Sequence, residues 1–238
     1  MRSRYFRIQV ICLIITAGLF SPGTSLAQSL TGATGLVTIP TARMCDDGNL
    51  SIGMSYFDKK YQDFSGRSHD FVSAYASLTF LPFLEVTVRL NYPNKMRWSG
   101  SQPINGVDRV PMVRLRLLRE KKYLPAIVAG IHDFASTSND GTVFFNATYL
   151  VLSKKISAVD LQLGYAPKIM DANHYQLTGM FGGVSYSPFH DLFLLAEYDS
   201  RYVNTGVQLL FLNHFYLDLA SLNFDSYAAG LGFHLLLK

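Results

Sequence analysis

The residues of this 238-residue sequence that could do chemistry are charged and amide side chains spaced in steps of two. Glu85 and Arg89 share one parity, as do Arg114 and Arg116, while Gln162, Glu197, Gln208, Asp218 and His234 each stand on the polar side of an alternating segment. In an extended chain, residues i and i+2 point the same way, so such groups line one face. Guanidinium groups set among amides can hold carboxylates bidentately. On that chemistry Glu85, Arg89, Arg114, Arg116, Gln162, Glu197, Gln208 and Asp218 are candidates for a polar path along an enclosed face. A plainer role competes with this one and is favoured over it: Glu85 and its neighbours pair with the arginines only to neutralise charge in an enclosed space.

Hydrolytic chemistry is less well supplied. The histidines are His69, His132, His174, His190, His214 and His234. Asp133 directly follows His132 and points to the opposite face of a strand, and His190-Asp191 falls at a turn, so neither pair orients a nucleophile. Neither a G-x-S-x-G elbow nor a zincin motif occurs, and no enzymatic activity is expected. Of the two cysteines, Cys12 lies in the leader described next and Cys45 is then alone, so no internal disulfide, metal site or cofactor is expected.

The elements that must position these residues begin after a leader. Arg2, Arg4 and Arg7 precede an apolar run from Val10 to Phe20, and small residues at Ser25 and Ala27 complete a secretory signal peptide over 1–27, with cleavage predicted after Ala27. The run is too short to span about 30 Å of hydrocarbon as a helix. The leader takes three of 21 basic residues and none of 17 acidic ones, so the formal charge of +4 falls to near neutrality. No nucleic-acid partner is indicated.

After residue 27 no apolar run is long enough for a membrane helix, yet 49% of the chain is hydrophobic and only 16% charged. The apolar residues alternate instead. Val86, Val88, Leu90 and Tyr92 oppose Glu85, Thr87, Arg89 and Asn91, and the same pattern recurs from Val203 to Phe211 and from Tyr227 to Leu237. It predicts twelve strands at about 49–58, 69–80, 83–92, 109–119, 125–134, 142–154, 157–166, 176–187, 192–199, 203–211, 215–220 and 226–237. Connections at Leu81-Pro82, Glu120 to Leu124, Lys155-Ile156, Pro188 to Asp191 and Leu212 to His214 are short. Those between, from Lys59 to Ser68, Pro93 to Asp108, Ala135 to Gly141 and Pro167 to Tyr175, are longer and more polar. An even strand count with short turns at one end and long loops at the other describes an all-β, antiparallel up-and-down transmembrane barrel of the outer-membrane type. A secreted sandwich alternates too, but its connections are alike at both ends. Phe80, Phe83, Tyr92, Tyr149, Tyr165, Tyr186, Tyr198, Phe211 and Phe215 fall near strand ends, where an interfacial girdle would lie. Tight turns each followed by an inward acid (Glu85, Glu197, Asp218) form a hairpin repeat with no linker.

One segment stands outside this pattern. Residues 28–48 precede the first strand and are rich in Gly and Thr, with Pro40 set against continuing a central strand. Thr34, Gly35, Pro40, Thr41 and Arg43 mark it as a plug in the barrel mouth, a docking element at the periplasmic end, or an irregular strand completing the wall. The organisation is then leader 1–27, N-terminal segment 28–48 and barrel 49–238.

The order of several motifs resembles a known family. Thr34-Gly35-Leu36-Val37-Thr38-Ile39-Pro40-Thr41-Ala42-Arg43, then Phe80 to Arg89, then Arg114-Leu115-Arg116-Leu117-Leu118, Tyr123-Leu124-Pro125, Gly130 to Phe134 and Tyr149 to Lys154 are similar in sequence and succession to outer-membrane exopolysaccharide-biosynthesis proteins of the YjbH type. The resemblance implies an outer-membrane barrel that assists export or surface assembly of an exopolysaccharide or capsule. Its implied partners are outer-membrane lipid, exopolysaccharide and periplasmic export or lipoprotein components. A structural adaptor or small porin-like barrel that passes no polysaccharide is the alternative. Family members are longer and carry a second barrel region, whereas this chain has room for one.

Overall fold

Each alternating segment has one face too apolar for water and one too polar for lipid, and its backbone groups need partners on both edges. In the computed structural model, which describes residues 28–59, 63–64, 67–68, 70–93, 107–134, 146–169 and 177–237, the segments meet these demands by closing into one antiparallel barrel. The wall strands are β1 (Asn49–Phe57), β2 (Phe71–Phe80), β3 (Leu84–Pro93), β4 (Asp108–Leu118), β5 (Ala126–His132), β6 (Ala147–Ile156), β7 (Val159–Ala166), β8 (Gly179–Phe189), β9 (Leu192–Tyr198), β10 (Val203–Phe211), β11 (Phe215–Leu222) and β12 (Ser226–Leu236). Neighbours in sequence are neighbours in the wall, and β1 closes the ring on β12, from Asn49 opposite Leu236 to Phe57 opposite Ala228. The up-and-down barrel and its strand count are those the alternation predicts. The leader, most of the four longer connections, His69, His174 and Lys238 lie outside the described residues.

Two turns differ from their predicted places. The β6–β7 turn is Ser157-Ala158 and not Lys155-Ile156, because Lys155 and Ile156 still pair with Asp160 and Val159 while Ser157 takes the positive φ of 57°. Strand β8 continues through Pro188 to Phe189. The register shifts between Tyr186 and Phe189, and a bulge is where a residue without an N–H is tolerated in a sheet.

The two faces separate cleanly. Ile52, Met54, Val88, Leu117, Leu163 and Leu231 stand exposed on the outside, where so continuous an apolar surface requires lipid. Phe80, Phe83, Tyr92, Tyr165, Tyr186, Tyr198 and Phe211 are exposed near the strand ends, as a girdle requires. Tyr149 is a correction: it is buried and turned inward, its ring lying over Gly130 of the adjacent strand.

That packing recurs inside. Tyr75 lies over Gly53, Tyr216 over Gly232 and Phe181 over Gly164, each pair directly opposed across two strands. Gly53 and Gly232 also face each other where β1 meets β12, and the Tyr75 and Tyr216 hydroxyls meet over them at 2.9 Å. The closing seam is thus clasped on its inner face. A Cβ on Gly232 would stand 2.2 Å from the Tyr216 ring, so the clasp needs glycine.

Candidate functional site inside the barrel

With the twelve strands already paired into a ring, no edge remains for residues 28–48 to extend. The segment's own bridges join Gln28 to Thr34 and Gly35 to Pro40, so it folds on itself as two successive tight loops. Leu30 N–H bonds to the Val37 carbonyl at 2.9 Å, fastening one loop to the other, and Leu36 N–H bonds to the Ile39 carbonyl at 3.0 Å within the second. Every residue from Gln28 to Ala42 is buried, and the place of burial is the lumen. Gly32 shows how close the fit is. Its φ is +92°, and a Cβ there would stand 2.5 Å from the Tyr75 ring of the seam clasp. Among the alternatives for this segment, an irregular wall strand is the one the geometry does not support.

The wall grips this plug at two carboxylates half a ring apart, Glu85 on β3 and Glu197 on β9. Glu197 accepts the backbone N–H groups of Val37 at 2.8 Å, Thr38 at 2.8 Å and Ile39 at 3.3 Å, and the Thr38 hydroxyl at 2.5 Å. Successive amides converging on one anion form a nest, and a carboxylate satisfies several buried N–H groups that would otherwise lack partners. Asn204 supports the same carboxylate from β10 at 3.1 Å and also reaches Asp199.

Opposite, Glu85 accepts the Thr34 hydroxyl at 2.8 Å and the Thr34 N–H at 3.2 Å, and pairs with Arg114 Nη1 at 2.7 Å. Glu85 and Arg114 are each 1% exposed, so neither charge is screened by solvent. Arg114 spends its other terminal nitrogen on plug carbonyls, those of Thr41 and, at 3.1 Å, Arg43. One buried ion pair therefore holds both an N–H and the carbonyls of the plug.

The plug leaves the lumen at the short-turn end through a charged rim. Arg43 forks onto Asp160 of β7 at 2.7 and 2.8 Å and reaches Glu120 in the β4–β5 turn. Lys154 joins Glu120 at 3.0 Å, and Arg116 donates to the Met44 and Pro82 carbonyls at 2.7 Å each. Burial alone would raise the Glu120 carboxyl, but hydrogen bonds from Arg43 and Lys154 outweigh it and hold the group below the usual carboxylate range. Ala42 N–H bonds to Ser153 Oγ at 2.6 Å just inside the rim, and Ser153 meets Gln162.

Glu85, Arg89, Arg114, Gln162, Glu197, Gln208 and Asp218 all face inward and are buried. Six of them surround the plug directly or through one neighbour: Glu85, Arg114 and Glu197 as described, Gln162 through Ser153, Gln208 by donating to the Gln28 carbonyl at 3.0 Å, and Asp218 by accepting from Gln208 at 2.5 Å. Arg89 is buried on β3 farther along. Arg116 is half-buried at the rim, and His234 is half-buried beside His214. In this arrangement the polar groups face protein and not an open bore. Of the plug residues, Thr34, Thr41 and Arg43 make the contacts above, while Gly35 and Pro40 close the second loop.

Sequence reasoning missed Ser153, Asp160 and Asn204. Each shares the inward parity of Val151, Gln162 or Gln208, so the alternation carried the signal. Thr38 and the nest at Val37 to Ile39 were not readable, because backbone amides have no signature of their own. Burial pushes the Cys45 thiol up to about 12, which keeps it protonated. Among the described residues no group of three His, Cys, Asp or Glu side chains could hold a metal ion.

Three comparisons give this geometry a context. An uncharacterized lipoprotein, YjbH, of Escherichia coli strain K12 is 32% identical over 142 residues, a match that covers 58% of this chain and 18% of that protein. The chain thus spans less than a fifth of the curated relative it matches. Among solved structures, the KdgM porin superposes with a TM-score of 0.49 at 13% identity, covering 79% of this chain and 99% of the porin. An outer membrane channel from Pseudomonas putida F1 gives 0.47 at 9% identity, covering 81% and 96%. Residues 27–176, a stretch running from the plug through β7, match the YjbH family, described as exopolysaccharide biosynthesis protein YbjH, and this chain belongs to that family.

Proposed function

We propose that this chain is a non-enzymatic outer-membrane barrel that assists export or surface assembly of an exopolysaccharide, with its own N-terminal segment as the stopper. The observation that carries the reading is the coincidence of two things. The chain belongs to an exopolysaccharide-biosynthesis family, and the family match takes in the segment that fills the lumen. With the plug in place, the inward polar groups are turned onto residues 28–43 and not onto a passing chain. With it displaced, Glu85, Arg114, Glu197 and Gln208 keep their wall partners but lose their bonds to the plug, and those positions become available to carboxylates and hydroxyls of a polysaccharide. Its partners on this reading are outer-membrane lipid, the exopolysaccharide and periplasmic export or lipoprotein components.

A filled lumen also favours a second reading, in which the barrel anchors a secretion assembly and passes nothing. Surface polysaccharide in cells carrying Arg89→Gln with Arg116→Gln separates the two. The export reading expects a several-fold loss, and unchanged polysaccharide with a correctly folded barrel would leave the adaptor reading.

A further inference from the structure

Two buried polar atoms of the lumen wall, Asp218 Oδ2 and Ser55 Oγ, have no hydrogen-bond partner among the described residues. They adjoin one spot. A Cβ on Gly230 would stand 3.3 Å from Asp218 Oδ2, 3.2 Å from Ser55 Oγ and 2.7 Å from Leu30 Cδ2, so both orphaned acceptors lie beside the beginning of the plug. The other oxygen of Asp218 takes Gln208 Nε2, and the same nitrogen donates to the Gln28 carbonyl. A single amide group therefore separates the Gln28 backbone from the carboxylate.

Charge points the same way. Among the described buried residues, Glu85, Asp133, Glu197, Asp199 and Asp218 outnumber Arg89 and Arg114. A buried carboxylate with an unfilled oxygen is costly, and a cationic donor at that oxygen would remove the cost.

Gln28 is also the residue after the predicted leader site. Hydrolysis of the Ala27–Gln28 bond adds one water across the amide. The oxygen leaves with Ala27 as its carboxylate, and the nitrogen stays on Gln28 and is protonated to an ammonium. We propose that this new α-ammonium is the partner Asp218 lacks, that it donates to Asp218 Oδ2 and Ser55 Oγ, and that leader removal thereby fastens the plug in the lumen. Before cleavage the same nitrogen is a neutral amide with one proton and a chain attached, and it cannot serve both acceptors. Asp218 is on this account a receiving site whose ligand is the protein's own processed terminus. The inference rests on the cleavage position and is independent of the export reading.

The test uses full-length protein matured in cells and purified from membranes. N-terminal sequencing and intact mass come first. A chain that starts at Gln28 and keeps it uncyclised is expected, because a protonated nitrogen does not attack the side-chain amide. A terminus elsewhere, or one that has lost ammonia to form the lactam, overturns the proposal. A pyridinecarboxaldehyde that labels only α-amines is then applied to folded and urea-unfolded barrel. Labelling at least about tenfold slower in the folded state is expected, and equal rates overturn the proposal.

Burial alone would also protect the amine, so the charge pair is tested by a cycle. Plug release is read from thiol labelling of Ile39→Cys, a buried position whose side chain makes no anchor bond, in a Cys45→Ser background. Asp218→Asn and an Ala-Ala insertion ahead of Gln28 should each speed it several-fold, and together no more than either alone. Additive effects overturn the pairing. If Asp218→Asn fails to fold, the insertion variant decides alone: labelling at the wild-type rate overturns the proposal.

Discussion

Glu197 collects three backbone N–H groups and a hydroxyl from one loop of the plug, while Glu85 takes its plug contacts with a guanidinium alongside. The two anchors should therefore fail differently. Glu197→Gln keeps the shape but loses the charge and one acceptor oxygen, leaving buried amides partly unsatisfied. A loss of about 2–3 kcal/mol of plug docking is expected, since hydrogen bonds to a charged group contribute about 1.5–3 kcal/mol. Thiol labelling at Ile39→Cys in a Cys45→Ser background measures it. At the rim, Glu120 titrates below its ordinary value in the folded chain. Its contribution is complete above the unfolded carboxylate value, about 4.3, and is lost as pH falls through the lowered folded value. Hydrogen exchange at the Ala42 amide should accelerate over that acid window, and the acceleration should be absent in Glu120→Gln.

The strands follow from side-chain parity, and parity also explains what could not be read. Alternation located all twelve wall strands to within a few residues, because one face must meet lipid and the other must not. The β6–β7 turn was displaced because Lys154 and Lys155 look like turn charges, whereas Lys154 folds back onto Glu120 and the carbonyls of Lys121 and Lys122. Tyr149 looked like a girdle residue because an aromatic near a strand end has the same sequence signature on either face; only Gly130 across the ladder distinguishes them. The seam clasp was unreadable for a similar reason, since it joins four residues from four strands. Gly232→Val should disrupt it. A Cβ there would enter the Tyr216 ring, and overpacking of this kind costs about 1–3 kcal/mol. Urea unfolding followed by heat-modifiable gel mobility should show that loss, with Gly206→Ala, whose nearest contact would be 3.0 Å, losing less.

At the scale of the molecule, the low charged fraction is what a barrel facing lipid outside and its own chain inside requires. The inward acids and arginines were legible as a set, but not what they hold. Nothing in the spacing of Thr34, Gly35, Pro40, Thr41 and Arg43 separated a plug from a strand, because the segment is fixed by contacts to residues 51 to 180 positions away. A seated plug is expected to shut the barrel to ions. Single-channel recording of the intact chain beside a variant lacking residues 29–43 tests this most directly. The intact barrel should be silent or nearly so and the deletion should give steady open currents, whereas equal conductance from two folded barrels would contradict it.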